Sequence, residues 1–482
     1  MARAVARLDE RVAVSLRGIE SADFILAVGV DPINEAPMLA LAMRQAFRNG
    51  ATVIVIDPRP VFLPFEFHHL AVAPGDMDAC LGLLVTGFVP RSTVAELGAA
   101  ALQFYDAIPG SYTPDAPIQD RVSALIAGLQ DSQRPVVVCG NEIVPETTPA
   151  FAADAVLLLR AMKHQSGLFF VLPGANAFGA SLLSSSEGSF MDTVEAIENG
   201  AVKALLVVEN DPFWSFPDRQ RLQQALDQLD VLLVLDYLPS KLAQCAHVFL
   251  PTSTLFEARS CFVNQEGRAQ FADAIHCGGI PIRELSGGSH PPRIFRRTIP
   301  GGEPQPAWQV LADLVQAMSP QEKEITRDDV WAFLAQENPI FSRLAHPAHP
   351  SGAERLIPAQ SLEEPFAQGA KLEWEQPAEN CLELLLVDWT FGTEELSGYS
   401  ITIQQAEREP CLFIHAEDAA KIGLAIGDRV VLHLDGGELE VKLCVSLSMA
   451  CGVLILPKHR QLVWQKVKRF PIIVSFSQIV KA

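Results

Sequence analysis

No two of the nine cysteines are separated by only two or three residues, so the compact thiolate spacings of zinc and iron–sulfur sites do not occur. Cys80, Cys139, Cys245, Cys261, Cys277, Cys381, Cys411, Cys444 and Cys451 are scattered and odd in number, which excludes a disulfide framework. Long hydrophobic runs are missing as well. Stretches such as CLELLLV and GVLILP have strand length, far short of the roughly 20 apolar residues that span a bilayer. The opening MARAVARLDERVAVSLRGIE carries charges every few positions and no apolar leader core, so a cytoplasmic location is expected. Positive charge is scarce: 37 Lys and Arg stand against 57 Asp and Glu, a net of −20 that argues against a nucleic-acid partner. There is no G-x-G-x-x-G after a strand, no Walker loop and no G-x-S-x-G elbow.

What is there is enough for two to four domains: 482 residues, 49% of them hydrophobic. Apolar runs alternate with helical patterns. FILAVG, the helix APMLALAMRQAFRNG ending at Gly50, and TVIVIDP form one β-α-β unit. RPVVVCG, ALLVVEN, the helix DRQRLQQALDQL and VLLVLDY continue the pattern. Such near-continuous Val/Ile/Leu strands belong to parallel sheets covered on both faces. The units also echo each other. Asp31-Pro32 followed by Pro37 recurs 180 residues later as Asp211-Pro212 followed by Pro217. Each is preceded by an apolar strand and followed by a helix and a strand ending in aspartate, Asp57 in VIVIDP and Asp236 in LLVLDY. LAVAP (70–74) is answered by HVFLP (247–251). An ordered series of matches is the mark of an internal duplication.

Two Gly- and Pro-rich connections, Gly278–Pro306 and Asn338–Gly369, flank a helix at Ala307–Met318. Beyond them the runs become strand-like, with a hairpin turn at Asp435–Gly437 and a short helix ending at Gly423. The expected organisation is a first α/β unit over 1–118, a second over 119–277, a connection and helix over 278–337, a linker over 338–380 and a C-terminal β-barrel over 381–482. The fold class is α/β, with duplicated dinucleotide-binding-like parallel-sheet units and a C-terminal β-barrel domain.

Ligands of such sheets collect at the carboxyl ends of strands, where loops and helix N-termini offer backbone N–H groups to phosphates. Gly29 allows close backbone approach there, and Asp57 or Asp236 can accept hydrogen bonds from a ribose. The bland alternative is that these are ordinary loop residues.

The order of motifs resembles the molybdopterin oxidoreductase family. ADFILAVGVDPINEAP…GATVIVIDPR…PGD is similar to its first dinucleotide-fold region, and VVENDPFWSFP…VLDYLPSKLAQCAHVFLPTSTLFEARSCFVNQEGRAQ to its second. FIHAEDAAKIGLAIGDRVVLHLDGGELEVKLCVSLSMACGVLILP is similar to its closing barrel. Within the family, FGTEELS, NQEGR and NAFGA resemble the large peripheral-arm subunit of respiratory complex I, the G subunit of bacterial NADH-quinone oxidoreductase.

Catalytic members bind two pterin dinucleotides, and the resemblance implies that Gly29, Asp31, Asp57 and Asp76 line the first site and Glu209, Asp211, Asp236 and Glu257 the second. The sequence departs from the pattern in three places. Glu209 replaces the usual glycine and would set a carboxylate against a pyrophosphate. Pro60-Val61-Phe62 follows DPR where a small hydroxyl residue is usual, and no clear Cys or Ser metal ligand lies between the copies. The family's cysteine-rich cluster modules are not in this sequence, so another chain supplies them or the chain is a remnant.

The resulting expectation is a cofactor-free scaffold in the peripheral arm of an NADH-quinone oxidoreductase, without a catalytic residue or a metal ligand of its own. Iron–sulfur clusters are then expected only on partner chains, and membrane association at the cytoplasmic face of the inner membrane only through the complex. The alternatives are a pterin-dinucleotide-binding fragment completed by a separate iron–sulfur chain, and a freestanding small-ligand binder.

Four further groups have readings of their own. His346 and His349 have metal-like spacing in a Pro-rich linker, a surface loop by composition, and His68-His69 border an apolar run. Glu257, Arg259 and Arg268 either salt-bridge one another or hold an anion. Lys458, Arg460, Lys466, Lys468 and Arg469 around Trp464 form a solvated basic edge or a docking patch for a partner or anionic membrane surface.

Overall fold

Strands β1 (Phe24–Val28), β2 (Thr52–Ile56), β3 (His68–Leu70), β4 (Pro135–Cys139) and β5 (Gly167–Phe170) form one sheet in the order β3-β2-β1-β4-β5, with every pair parallel. This computed structural model describes residues 1–108, 116–184, 188–275, 304–321, 324–344, 354–367, 377–468 and 470–482. All five residues of β1 are buried, which is why FILAV reads as an unbroken apolar run. The helix Pro37–Arg48 lays Leu39, Ala42, Met43 and Ala46 on one face of the sheet, against Ile25, Ala27, Val53 and Val55.

From β1 the chain builds outward through β2 and β3, then crosses to β4 on the other side. The carboxyl end of β1 therefore lies where the strand order reverses, the crevice position of an open α/β sheet. β4 and β5 fall inside the segment expected to form the second copy, yet they hydrogen-bond into the first sheet. The reason is backbone satisfaction. A central strand buried on both faces needs a pairing partner at each edge, and β2 supplies only one.

The chain divides into two units: Met1–Ser184 with Val263–Gly267 and Ile357–Ala482, and Ser185–Phe262 with Arg268–Leu356. In the second unit, β6 (Ala204–Val208), β7 (Val231–Asp236) and β8 (Val248–Pro251) form a parallel sheet in that order. Helices Phe190–Glu198 and Arg219–Leu226 pack Val194, Ile197, Leu222 and Leu226 against Leu232 and Val234. Among the described residues β6 has no strand on its other side, and Leu206, Val248 and Phe249 are exposed on this sheet. A small sheet of β9 (Ser260–Val263), β10 (Arg268–Ala272) and β11 (Glu354–Arg355) follows, and the helix Ala307–Met318 stands where its periodicity predicts. Most of the Gly278–Pro306 connection, with Cys277, His346 and His349, lies outside the described residues.

The closing sheet comprises β12 (Cys381–Val387), β13 (Cys411–His415), β14 (Arg429–Leu434), β15 (Gly437–Ser446), β16 (Val453–Pro457), β17 (Ile473–Ser475) and β18 (Ile479–Lys481). Their order is β17-β12-β16-β13-β15-β14-β18. The two outermost strands, β17 and β18, are joined by the single short turn Phe476–Gln478, which curls the sheet into a nearly closed barrel. Leu412, Ile414, Val430, Leu443, Leu454 and Trp464 fill its interior. The helix Ala416–Ile422 ends at left-handed Gly423, and β14 turns into β15 at Asp435-Gly436, both as the sequence predicts. Among the described residues no helix is long and apolar enough to cross a membrane.

Candidate functional site

The loop after β1 begins at Gly29, whose amide donates to the Ile56 carbonyl at 2.8 Å with φ at +62°. Asp31 then caps the turn Pro32–Glu35, accepting from the Ile33 and Asn34 amides at 3.2 and 3.3 Å and from Asn34 Nδ2 at 2.6 Å. Glu35, at the end of that turn, returns a carboxylate oxygen to the Asp31 amide at 3.0 Å.

Asp57, at the end of β2, is wholly buried. Arg59 donates its backbone N–H and Nε to Asp57 Oδ1 at 2.8 and 2.9 Å, and Nη2 to Oδ2 at 2.7 Å. The other arm of the guanidinium, Nη1, donates to Glu35 Oε1. Arg59 and Glu35 are themselves buried, so a planar five-donor cation is clamped between two carboxylates out of water. Burial pushes the Glu35 carboxyl above its usual range despite the Arg59 charge beside it. Burial works against the Arg59 charge too, but Asp57 and Glu35 overcome it and hold the guanidinium well above its ordinary value. His69 Nε2 lies 3.0 Å from the Asp57 carbonyl, which can only accept, so this nitrogen carries the proton it donates; burial lowers the ring's pKa. Asp76 occupies the first turn of the helix Pro74–Phe88, half-buried.

The second copy repeats the backbone and changes the side chains. Glu209 donates its amide to the Leu235 carbonyl at 2.7 Å with φ at +49°, and accepts from Thr252 Oγ1 at 2.9 Å. Burial raises its carboxyl pKa while the Thr252 hydroxyl lowers it. Asp211 caps Pro212–Ser215 through the Phe213 amide at 2.9 Å and accepts the Lys241 amide at 3.0 Å. Asp236 takes the Tyr237 and Leu238 amides at 2.7 and 3.0 Å and Ser240 Oγ at 3.2 Å. The Glu257 carboxylate folds onto Thr254, accepting its amide at 3.0 Å and its hydroxyl at 2.9 Å, while Arg259 pairs with Asp273 at 2.6 Å. Of the three residues read as bridging one another or holding an anion, Glu257 and Arg259 thus take other partners, Thr254 three residues earlier and Asp273 across the β9–β10 hairpin.

In this structure the residues expected to meet a pterin dinucleotide already carry protein partners. A ribose would need a carboxylate oxygen of Asp57, where it would share the acceptor with Arg59, which donates to both. A pyrophosphate would need the face of Gly29, and a Cβ built there would fall 2.0 Å from Val144 Cγ1 and 3.4 Å from Met77 Sδ. The close approach that glycine permits serves packing: Gly140 lies so near that its own Cβ would meet the Gly29 carbonyl oxygen at 2.0 Å. In the second copy Asp211 and Asp236 satisfy their own turns, and Glu209 adds a carboxylate.

Both first-copy loops also receive the closing sheet. Thr390 donates its amide to Asn34 Oδ1 and its hydroxyl to the Ile33 carbonyl, each at 3.2 Å. The Ala450 amide donates to the Pro58 carbonyl at 2.9 Å. Lys458 reaches Asp388 at 2.7 Å and Glu142 at 3.7 Å, and Arg460 reaches Glu407 at 2.8 Å. Trp464 lies in the barrel interior and Lys466 Nζ donates to the Glu438 carbonyl, whereas Lys468 is exposed and Arg469 lies outside the described residues. Glu35, Val144 and Thr390 were not singled out by sequence; Glu35 alone carried a signal, four residues after Asp31.

Comparison with known proteins identifies the family, and its dinucleotide-binding match speaks for a pterin rather than against one. The Molybdopterin oxidoreductase family profile matches residues 2–277, and the Molydopterin dinucleotide binding domain matches 389–468. The G subunit of the NADH-quinone oxidoreductase of Shewanella oneidensis is 25% identical over 92% of this chain and 57% of its own length. The NADPH-Fe(3+) oxidoreductase subunit alpha of Geobacter sulfurreducens is 22% identical over 92% of this chain and 54% of its own. The chain thus spans about half the length of the curated relatives it matches. Among solved structures, Acetylene Hydratase from Pelobacter acetylenicus shares the fold at a TM-score of 0.57 and 14% identity, over 92% of this chain and 73% of that one. With a family profile covering more than half its residues and a second one on the closing sheet, the chain belongs to the molybdopterin oxidoreductase family.

Proposed function

We propose that the chain is a cofactor-free subunit of an NADH-quinone oxidoreductase assembly. It would act as a scaffold in the peripheral arm, at the cytoplasmic face of the inner membrane, holding iron–sulfur chains close enough for electrons to pass between them. The observation that carries this reading is the buried Asp57–Arg59–Glu35 clamp, which puts a protein cation and its hydrogen bonds where a dinucleotide would need free acceptors. Relatives that are G subunits of NADH-quinone oxidoreductases, matched over 92% of the chain, support the assembly. Exposed Leu206 on β6 and Val248 and Phe249 on β8, the two outer strands of this sheet, support a partner on the second unit. The electron acceptor is part of the proposal, since a second relative is named for Fe(3+) rather than quinone. No residue of the chain is assigned a proton or electron to move.

One observation favours the pterin-binding alternative: the match of residues 389–468 to a dinucleotide-binding domain. One preparation separates the two. The chain is isolated with its native partners and analysed for molybdenum, tungsten, pterin and co-purifying subunits. The scaffold reading expects metal and pterin far below one per chain, together with cluster-bearing, NADH-oxidising partners. Molybdenum or tungsten near one per chain overturns it.

A further inference from the structure

Three side chains of metal-ligating type converge on the closing sheet. His415 ends β13, buried, and its Nδ1 accepts the Glu417 amide at 3.2 Å as it caps the helix Ala416–Ile422. Cys451, in the turn before β16, brings Sγ to 3.0 Å from His415 Nδ1. The ligand atoms of His415, Glu417 and Cys451 all lie within 4.8 Å of one another.

The backbone around Cys451 is pinned on both sides. Before it, the Ala450 amide is bonded to the Pro58 carbonyl at 2.9 Å. After it, the Gly452 amide donates at 2.8 Å to Asp418 Oδ2, a buried carboxylate whose other oxygen takes Lys421 Nζ at 2.9 Å. The imidazole is anchored inside the barrel wall, while the thiol and the Glu417 side chain face solvent. An incoming ion therefore has access, and a water molecule can complete its shell.

Thiolate, imidazole and carboxylate together select a borderline-soft divalent ion over magnesium or calcium, which take oxygen ligands. Around tetrahedral zinc, bonds of roughly 2.0–2.3 Å set ligand atoms about 3.3–3.7 Å apart, so donors within 4.8 Å of one another reach a common ion by side-chain adjustment, with His415 Nδ1 exchanging the Glu417 amide for the metal. We propose that His415, Glu417 and Cys451 form a site for a divalent cation of the zinc class, three protein ligands with a fourth position open to water. On binding, the Cys451 thiol releases its proton to solvent as the metal–sulfur bond forms, with no change of oxidation state. The competing account is a plain S–H···N hydrogen bond beside a helix cap.

The test is a Co²⁺ titration of the full, reduced, chelator-treated chain, read by the thiolate-to-cobalt charge-transfer absorption, with Zn²⁺ and Mg²⁺ as competitors. The site predicts one cobalt per chain, displaced by Zn²⁺ and not by Mg²⁺. Cys451→Ser abolishes the absorption, and Glu417→Gln and His415→Asn each weaken binding by at least about tenfold, near 1.4 kcal/mol. Asparagine keeps an acceptor for the Glu417 amide, and the Cys451 and Glu417 substitutions are at solvent-facing positions, so the fold survives the comparison. Failure to develop the absorption, its persistence in Cys451→Ser, or unchanged affinity in either of the other variants overturns the assignment.

Discussion

Gly29 and Glu209, 180 residues apart, hold the same left-handed backbone conformation, at φ +62° and +49°. Each donates its amide to the last carbonyl before the aspartate of the next strand, Gly29 to Ile56 and Glu209 to Leu235. The duplication thus fixes the chain's path even where it changes the residue. A side chain in this region costs roughly 1–2 kcal/mol, and Glu209 offsets part of that through its hydrogen bond with Thr252.

Substitutions at the two positions should accordingly diverge. Gly29→Ala places a Cβ 2.0 Å from Val144 Cγ1 and is expected to lose at least about 2 kcal/mol in urea denaturation. Glu209→Gly relieves the backbone and gives up the Thr252 bond, so its stability should stay within about 1 kcal/mol of the parent. Equal losses at both positions would contradict this account.

Arg59→Met leaves Asp57 and Glu35 buried without their cation. Breaking a buried pair from one side costs about 3–5 kcal/mol. Adding Asp57→Asn to Arg59→Met should recover a substantial part of that loss in thermal or urea melts. A single variant as stable as the parent would show that the clamp holds nothing.

Glu383, on β12, is buried with Oε2 lacking a hydrogen-bond partner, and burial pushes its carboxyl up to about 7 from an ordinary 4.5. The folded chain therefore binds this proton more tightly than the unfolded chain does. Its effect is a penalty that grows between pH 4.5 and pH 7 and is complete above that window. Glu383→Gln should melt higher than the parent at pH 8 and converge with it near pH 5. A constant offset at both values would assign the effect to packing.

Lys458 stands between Asp388 and Glu142, and burial raises the Glu142 carboxyl. Removing the ammonium in Lys458→Met should destabilise the chain by about 3 kcal/mol at pH 8. At pH 5 the loss should shrink, because Glu142 then carries its proton and needs no counter-charge. Melting curves at the two pH values decide it.

Sequence made the strands, the duplication and the closing barrel legible because each is written locally: FILAV and PVVVC as buried strands, Asp435-Gly436 as a hairpin turn, Gly423 as a helix end. The destination of β4 was not legible. PVVVC is equally apolar beside either sheet, and only pairing with β1 fixes its place. The clamp was half legible. DPR and PINE are each visible, but their meeting depends on two strand ends lying side by side. Val144 over Gly29 and Cys451 against His415 carried no signal, since each contact joins segments 36 or more residues apart whose spacing follows no motif.

The Asp57–Arg59–Glu35 arrangement also bears on how such a protein matures. Arg59 leaves the ribosome two residues behind Asp57. The counter-charge arrives with the strand it serves: Asp57 meets its cation as β2 is completed, and Glu35, already made, waits only for that same residue.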